Sequence, residues 1–141
     1  MRVSTKGRYA LRMMLDLAKH QSDGYISLGE IAERQEISKK YLEQIVPLLG
    51  HADFLLTSRG FQGGYRLARP ASDYTVKDIL RLTEGSLAPV ACVSDNPAAC
   101  ERSADCLTLP LWQGLNKVID DYLSRITLQD LADGKLDGKL S

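Results

Sequence analysis

Residues 27–67 constrain this chain most. Two apolar patterns at helical spacing lie here with only Gln35, Glu36 and Ile37 between them. A break so short forces a tight turn between two helices. Ser27 is placed to cap the first helix, and Glu30, three residues on, completes the pattern of a capping box. Leu28, Ile31 and Ala32 share one face. Ser38 is the cap of the second helix, whose buried stripe is Leu42, Ile45 and Leu49. Two helices joined this way are also found as ordinary helical hairpins. The segment C-terminal to them decides between the two.

That segment is a glycine-punctuated hairpin. Phe54-Leu55-Leu56-Thr57-Ser58 and Gly64-Tyr65-Arg66-Leu67-Ala68 have strand character, with Arg59-Gly60-Phe61-Gln62-Gly63 between them. Glycines supply left-handed turn conformations and let backbone approach another surface closely. A hairpin directly after a helix-turn-helix pattern reads as a DNA-binding wing. On that reading Arg59, Gly60, Gly63 and Gly64 are wing contacts, and the long cation of Arg59 suits a narrow minor groove. The alternative is a plain hairpin with a solvated Arg. Ser38, Lys39, Lys40, Tyr41, Glu43 and Gln44 lie on or near the exposed N-terminal part of the second helix, the part that enters a major groove. Lys and Ser suit phosphate; Gln, Lys and Glu suit base edges.

These motifs carry a family resemblance. The opening Met-Arg-Val-Ser-Thr-Lys-Gly-Arg-Tyr-Ala-Leu, the run Ser38-Lys39-Lys40-Tyr41-Leu42-Glu43-Gln44, the wing Arg59-Gly60-Phe61-Gln62-Gly63-Gly64-Tyr65 and three later cysteines resemble the IscR-type regulators of the Rrf-two family. The resemblance spans about residues 1–132. It implies a mostly α fold with a small β-wing: a winged helix-turn-helix domain and a long C-terminal dimerisation helix. It further implies a transcription factor, a repressor, acting as a homodimer on double-stranded DNA and carrying an iron–sulfur cluster.

Charge agrees with that division. Residues 1–70 hold 11 Lys and Arg against 7 Asp and Glu, a surplus of +4; residues 71–141 hold 7 against 11, a surplus of −4. A basic front half and an acidic back half fit one part that faces DNA and one that faces away. No run approaches the roughly 20 apolar residues of a membrane span and no secretory signal opens the chain, so a cytoplasmic protein without a membrane partner is expected.

Residues 1–20 read as a helix with Ala10, Met13, Met14, Leu17 and Ala18 as its core stripe; Lys6, Arg8 and Arg12 lie off it. His20 reads as a cation at the helix C-terminus. Thr75 caps a further helix, with Asp78 at its third position, and its face of Val76, Ile79, Leu80 and Thr83 is expected under the wing. The expected organisation is therefore a winged helix-turn-helix DNA-binding domain over residues 1–85, a cysteine-bearing loop over 86–109, a dimerisation helix region over 110–132 and a mobile tail over 133–141. In the third segment Leu111, Trp112, Leu115, Val118, Ile119, Tyr122, Leu123 and Ile126 repeat helically. Leu115, Ile119, Tyr122 and Ile126 are the expected two-fold interface. A last helix folded back onto a monomer is the alternative. Thr127 and Asp130 form a second small cap pattern.

Cys92, Cys100 and Cys106 are an odd set in one loop, which argues against a disulfide framework. Thiolates are soft ligands for iron–sulfur clusters or zinc, and the spacing lacks the Cys-x-x-Cys of compact zinc ribbons. By the resemblance, these three hold a 2Fe–2S or 4Fe–4S cluster. Three thiols leave one ligand to find. Some relatives place a histidine three residues after the last cysteine, where this chain has Leu109; others place an acidic residue near position 8, where it has Arg8. Asp95, Glu101, Asp105, an external thiol or water remain for the fourth position.

Two readings compete with cluster control. One is a DNA-binding regulator without a cluster, answering to thiol or oxidant state or to a protein partner. The other is a thiol enzyme on the same scaffold. Against the latter, the chain offers no paired carboxylates, no Ser/His/Asp set and no phosphate-cradling loop; His20 and His51 stand alone.

Overall fold

A computed structural model describes residues 2–94 and 105–139. Among them are six α-helices and one antiparallel pair of strands, in the order α1 (Thr5–Lys19), α2 (Leu28–Gln35), α3 (Lys39–His51), β1 (Leu55–Ser58), β2 (Gly64–Leu67), α4 (Val76–Glu84), α5 (Leu109–Arg125) and α6 (Leu128–Asp133).

The core is built on α1. Ala10, Met13 and Met14 are fully buried and Leu17 nearly so, and α2, α3, α4, α6 and β2 all pack on this helix. Ile31, Leu42, Ile45 and Leu49 meet the same cluster from the helix-turn-helix side. The turn between α2 and α3 is closed by Glu36 in the left-handed conformation at φ 53°, which lets Ile37 return to the core. The Ser27 hydroxyl accepts from the Glu30 N–H at 3.2 Å, so the cap forms. The Glu30 carboxylate, however, lies 3.8 Å from Arg34 Nη1. Pairing one turn along its own helix wins over the reciprocal half of a capping box.

Strand β1 pairs with β2 in the register Leu55 to Leu67 and Ser58 to Gly64. Ile26 adds one bridge on the other side of β2, with hydrogen bonds of 2.9 and 2.8 Å to Tyr65. Buried Tyr74 ties the base of this hairpin to the core. Its hydroxyl donates to the Phe54 carbonyl at 2.8 Å and accepts from the N–H groups of Ala68 and Arg69, each at 3.1 Å. Its ring meets Phe54 edge-on at 5.2 Å.

Two expectations are corrected here, the packing of α4 and the place of Ile126. Helix α4 packs on α1 and α5 rather than under the wing. Its Val76 and Leu80 join Ile126 in a second small cluster. The segment over 110–132 holds two helices, divided at the second cap. Arg125 ends α5, the chain runs extended through Ile126, and a bridge between Thr75 and Thr127 brings α6 back onto α1. Both Thr75–Asp78 and Thr127–Asp130 form complete capping boxes, so each new helix is punctuated locally. Leu128 is fully buried, which makes α6 part of the N-terminal core rather than a separate unit. Finally, Ile126 is 4% exposed and packs inside its own chain, so it does not belong to a subunit interface. Beyond α6, Lys139 Nζ lies 3.2 Å from Asp130 Oδ2.

One charge sits inside the core. Asp16 is 2% exposed and receives Arg34 Nε at 3.0 Å, Arg34 Nη2 at 2.7 Å and Gln35 Nε2 at 3.0 Å. This clamps α2 to α1. Burial pushes the Asp16 carboxyl up, but the bonds from Arg34 and Gln35 and the nearby charges of Arg34 and His20 together hold it below the ordinary 3.8. A depressed folded value stabilises the fold above the unfolded value and loses that stabilisation as pH falls through the folded one. Asp16→Asn is therefore expected to cost about 1–2 kcal/mol at neutral pH by removing the charge-assisted bonds, since the Arg34 guanidinium stays in contact with water. Thermal melts should show the gap between variant and wild type closing as pH drops below 3.8.

Candidate nucleic-acid interface

The N-terminus of α3 breaks a local electrostatic rule. Ser38 caps it, its hydroxyl accepting from the Tyr41 N–H at 3.1 Å. The first turn then carries Lys39 and Lys40 and no acid. Cations at the positive end of a helix cost roughly 0.3–1 kcal/mol each. Both are exposed, and neither has an ion pair among the described residues. A phosphate arriving there would reverse the penalty, meeting two ammonium groups and the free N–H groups of the helix end.

Glu43 and Gln44 are exposed one turn further along. Tyr41 differs from its neighbours. It is half-buried, edge-on to Tyr9 of α1 at 5.2 Å, and Arg12 lies 5.4 Å over the Tyr9 ring. Arg12 also donates to the Gln35 carbonyl and side chain. Tyr41 thus helps orient α3 as well as bordering its exposed face. The opposite stripe of Leu42, Ile45 and Leu49 is fully buried, which fixes the face that Lys39, Lys40, Glu43 and Gln44 present outward.

At the wing, Arg59 and Gly60 are exposed, Gly60 at φ 105°. Gly63 and Gly64 have internal duties. A Cβ on Gly63 would overlap the Ser58 carbonyl, and one on Gly64 the Ile26 carbonyl. The close approaches these glycines permit are to the protein's own backbone. The tip is then left to Arg59, Phe61 and Gln62 for outward chemistry.

Cys92 lies in a short 3-10 turn, Ala91–Val93, packed near α5, and Cys106 two residues before Thr108, the residue that precedes α5. Both are partly exposed free thiols. The Thr108 hydroxyl, 3.2 Å from Cys106 Sγ, together with the Thr108 backbone N–H, holds that thiol below its ordinary value. Cys100, Asp95 and Glu101 lie outside the described residues, and among the described residues no three His, Cys, Asp or Glu side chains converge on a metal position. Leu109 opens α5 and Arg8 is exposed on α1; neither side chain can ligate. Three thiols in one segment suit an iron–sulfur cluster in donor chemistry, with a fourth ligand still to be supplied.

On α5, Leu111 and Val118 are 60% and 62% exposed and Leu115 is also exposed. Spaced by four and three residues, they form an apolar stripe. Tyr122 turns inward against the cluster of Val76, Leu80 and Ile126, while Ile119 borders a small cleft with Lys77 and Asp120, themselves paired at 2.5 Å. Sequence reasoning overlooked Asp16, Tyr74 and the pair Ser4–Glu84. In the last, one Glu84 oxygen accepts from the Ser4 N–H at 2.7 Å and its hydroxyl at 2.6 Å. Asp16 alone had a visible signal, a carboxylate beside Met13, Met14 and Leu17 in an apolar stripe.

Among the described residues no helix is long and apolar enough to cross a membrane. The family model described as Rrf2, iron-dependent transcriptional regulator, matches residues 3–134. A helix-turn-helix-type transcriptional regulator of Neisseria meningitidis is 44% identical over 98% of this chain and 92% of its own length. The structure of T. potens IscR superposes with a TM-score of 0.76 at 40% identity, covering 95% of this chain and 88% of that one. That of CymR, the global cysteine regulator of B. subtilis, gives 0.81 at 35% identity, covering 95% and 98%. The relatives are regulators rather than enzymes, and this chain, with its winged helix-turn-helix, belongs to the Rrf2 family of DNA-binding transcriptional regulators.

Proposed function

We propose that the protein is a homodimeric, sequence-specific repressor that reads DNA with α3 and the wing, and that an iron–sulfur cluster on Cys92, Cys100 and Cys106 controls its affinity. The unpaired Lys39 and Lys40 at the positive end of α3 carry the DNA reading. The likeness to T. potens IscR and two partly exposed thiols, Cys106 just before α5 and Cys92 in the turn packed near it, support the cluster.

When bound, the cluster supplies an iron- and redox-sensitive crosslink among thiolates. The chain's own part is to place the thiols. Cys92 stands eight residues after α4 and Cys106 three residues before α5, both in the segment that joins the two helices. A cluster across Cys92, Cys100 and Cys106 would fix the link between α4 and the exposed stripe of α5. If Leu111, Leu115 and Val118 of two chains pair, the link sets the separation of the two recognition helices. Half-site spacing on DNA makes affinity sensitive to that separation.

A second reading draws on the cysteine regulator CymR and on the lowered Cys106 thiol. In it the thiols respond directly to oxidants or thiols, or a protein partner replaces the cluster.

For the DNA surface, Lys40→Ala is expected to weaken binding to all duplexes and flatten the salt dependence by about one phosphate contact. Gln44→Ala should relax base preference at one position and cost roughly 1–3 kcal/mol. Arg59→Ala should lower DNA affinity with an unchanged melting temperature. Fluorescence anisotropy across salt concentrations checks all three; unaltered binding would remove α3 and the wing from the interface.

For the dimer, Val118→Glu is expected to give monomers in sedimentation at micromolar concentration, because the buried face would hold an unpaired charge. A wild-type monomer under the same conditions refutes the pairing.

For the switch, anaerobic reconstitution with iron and sulfide counted per chain, then DNA titration of both forms, should give affinities differing by about five- to 150-fold. Loss of visible absorbance in Cys92→Ala is expected. Absence of iron uptake, or equal affinities, favours the thiol or partner reading.

A further inference from the structure

Phe61 exposes its whole side chain to solvent, at 101%. Chain geometry holds it there. The Gly63 N–H donates to the Gly60 carbonyl at 3.0 Å and closes a turn with Phe61 and Gln62 at its centre. Gly60 at φ 105° and the lack of room for a Cβ on Gly63 fix that turn on both sides. An aromatic ring at the apex of a constrained turn gains nothing for the fold.

We propose that Phe61 is an apolar wedge for the DNA minor groove, entering beside Arg59 and pressing on a deformable base step. This rests on the DNA-binding reading of the wing and names a further residue of that surface. Position supports it, because Arg59 stands two residues away on the same hairpin tip. Chemistry supports it, because Phe is among the side chains that unstack adjacent base pairs from the minor groove, and pyrimidine–purine steps yield most easily. Electrostatics orients it. The cleft behind the tip, lined by Phe61, Gln62 and Gly63, also carries Asp23 and Glu30, whose carboxylates repel phosphate from that flank. Gly63 and Gly64 are set against internal backbone and Gly60 has no side chain, so Arg59, Phe61 and Gln62 are the side chains the tip offers to a groove.

The test uses the full chain. A duplex pool with a randomised core is selected by the wild type and, separately, by Phe61→Ala. Anisotropy then compares wild type, Phe61→Ala, Phe61→Leu and Arg59→Ala on the duplex recovered by the wild type. Phe61→Ala is expected to weaken binding about tenfold and to lose sequence preference at the flanking steps while keeping the preference read by α3. Its slope of log affinity against log salt should stay that of the wild type, since no phosphate contact is lost, whereas Arg59→Ala flattens the slope. Phe61→Leu should recover part of the loss, and neither Phe61 variant should alter the melting temperature. Equal affinity and equal preference for Phe61→Ala overturn the wedge alone and leave the ring to another partner. A loss accompanied by a flatter slope or a lower melting temperature overturns it as well. A wild type that enriches no duplex overturns the DNA reading, and the wedge with it.

Discussion

The apolar face of α1 is the constraint on which the rest of this protein depends. Ala10, Met13, Met14 and Leu17 leave almost no surface to water, and five other elements dock on that helix. The helix-turn-helix gains its rigidity from this contact rather than from its own two short helices. Helices of eight and thirteen residues are marginal alone and become stable when an amphipathic face is packed. The Asp16 clamp adds direction to that packing, because a buried carboxylate bonded to Arg34 and Gln35 tolerates one placement of α2. In this way the outward face of α3 is set from behind.

The same logic extends to both ends of the chain. Tyr74 fastens the hairpin base to the core, and Glu84 at the end of α4 bonds Ser4 at the start of α1. Gly7 is placed where any larger residue would collide with that Glu84 carboxylate. The connection from α4 into the cysteine segment therefore begins at a residue that also bonds Ser4, the cap of the central helix. On the proposed mechanism, a change in the cysteine segment has a short physical route to α1 and to everything packed on it.

The local features of this fold were legible in the sequence, and the long-range ones were not. Caps at Ser27, Ser38, Thr75 and Thr127 depend on neighbours within three residues, and all four form. The stripe of Leu42, Ile45 and Leu49 follows from helical spacing alone. What escaped were contacts between distant residues. The return of α6 onto α1 depends on the bridge of Thr75 to Thr127, and with it Ile126 passes from an expected interface to the interior. Gly63 and Gly64 read as DNA-facing from the sequence; only the positions of the Ser58 and Ile26 carbonyls show that a side chain there would meet the protein's own backbone. Tyr74 has no sequence pattern, since its three hydroxyl partners lie five to twenty residues away.

The central claim is that DNA meets α3 and the wing tip, with α5 turned away to a second copy. Amide hydrogen exchange of the full chain with and without a selected duplex addresses it most directly. The account predicts slowed exchange over residues 38–44 and 59–63 on adding DNA, and no change along α5. Protection confined to α5, or absent from both 38–44 and 59–63, would contradict it.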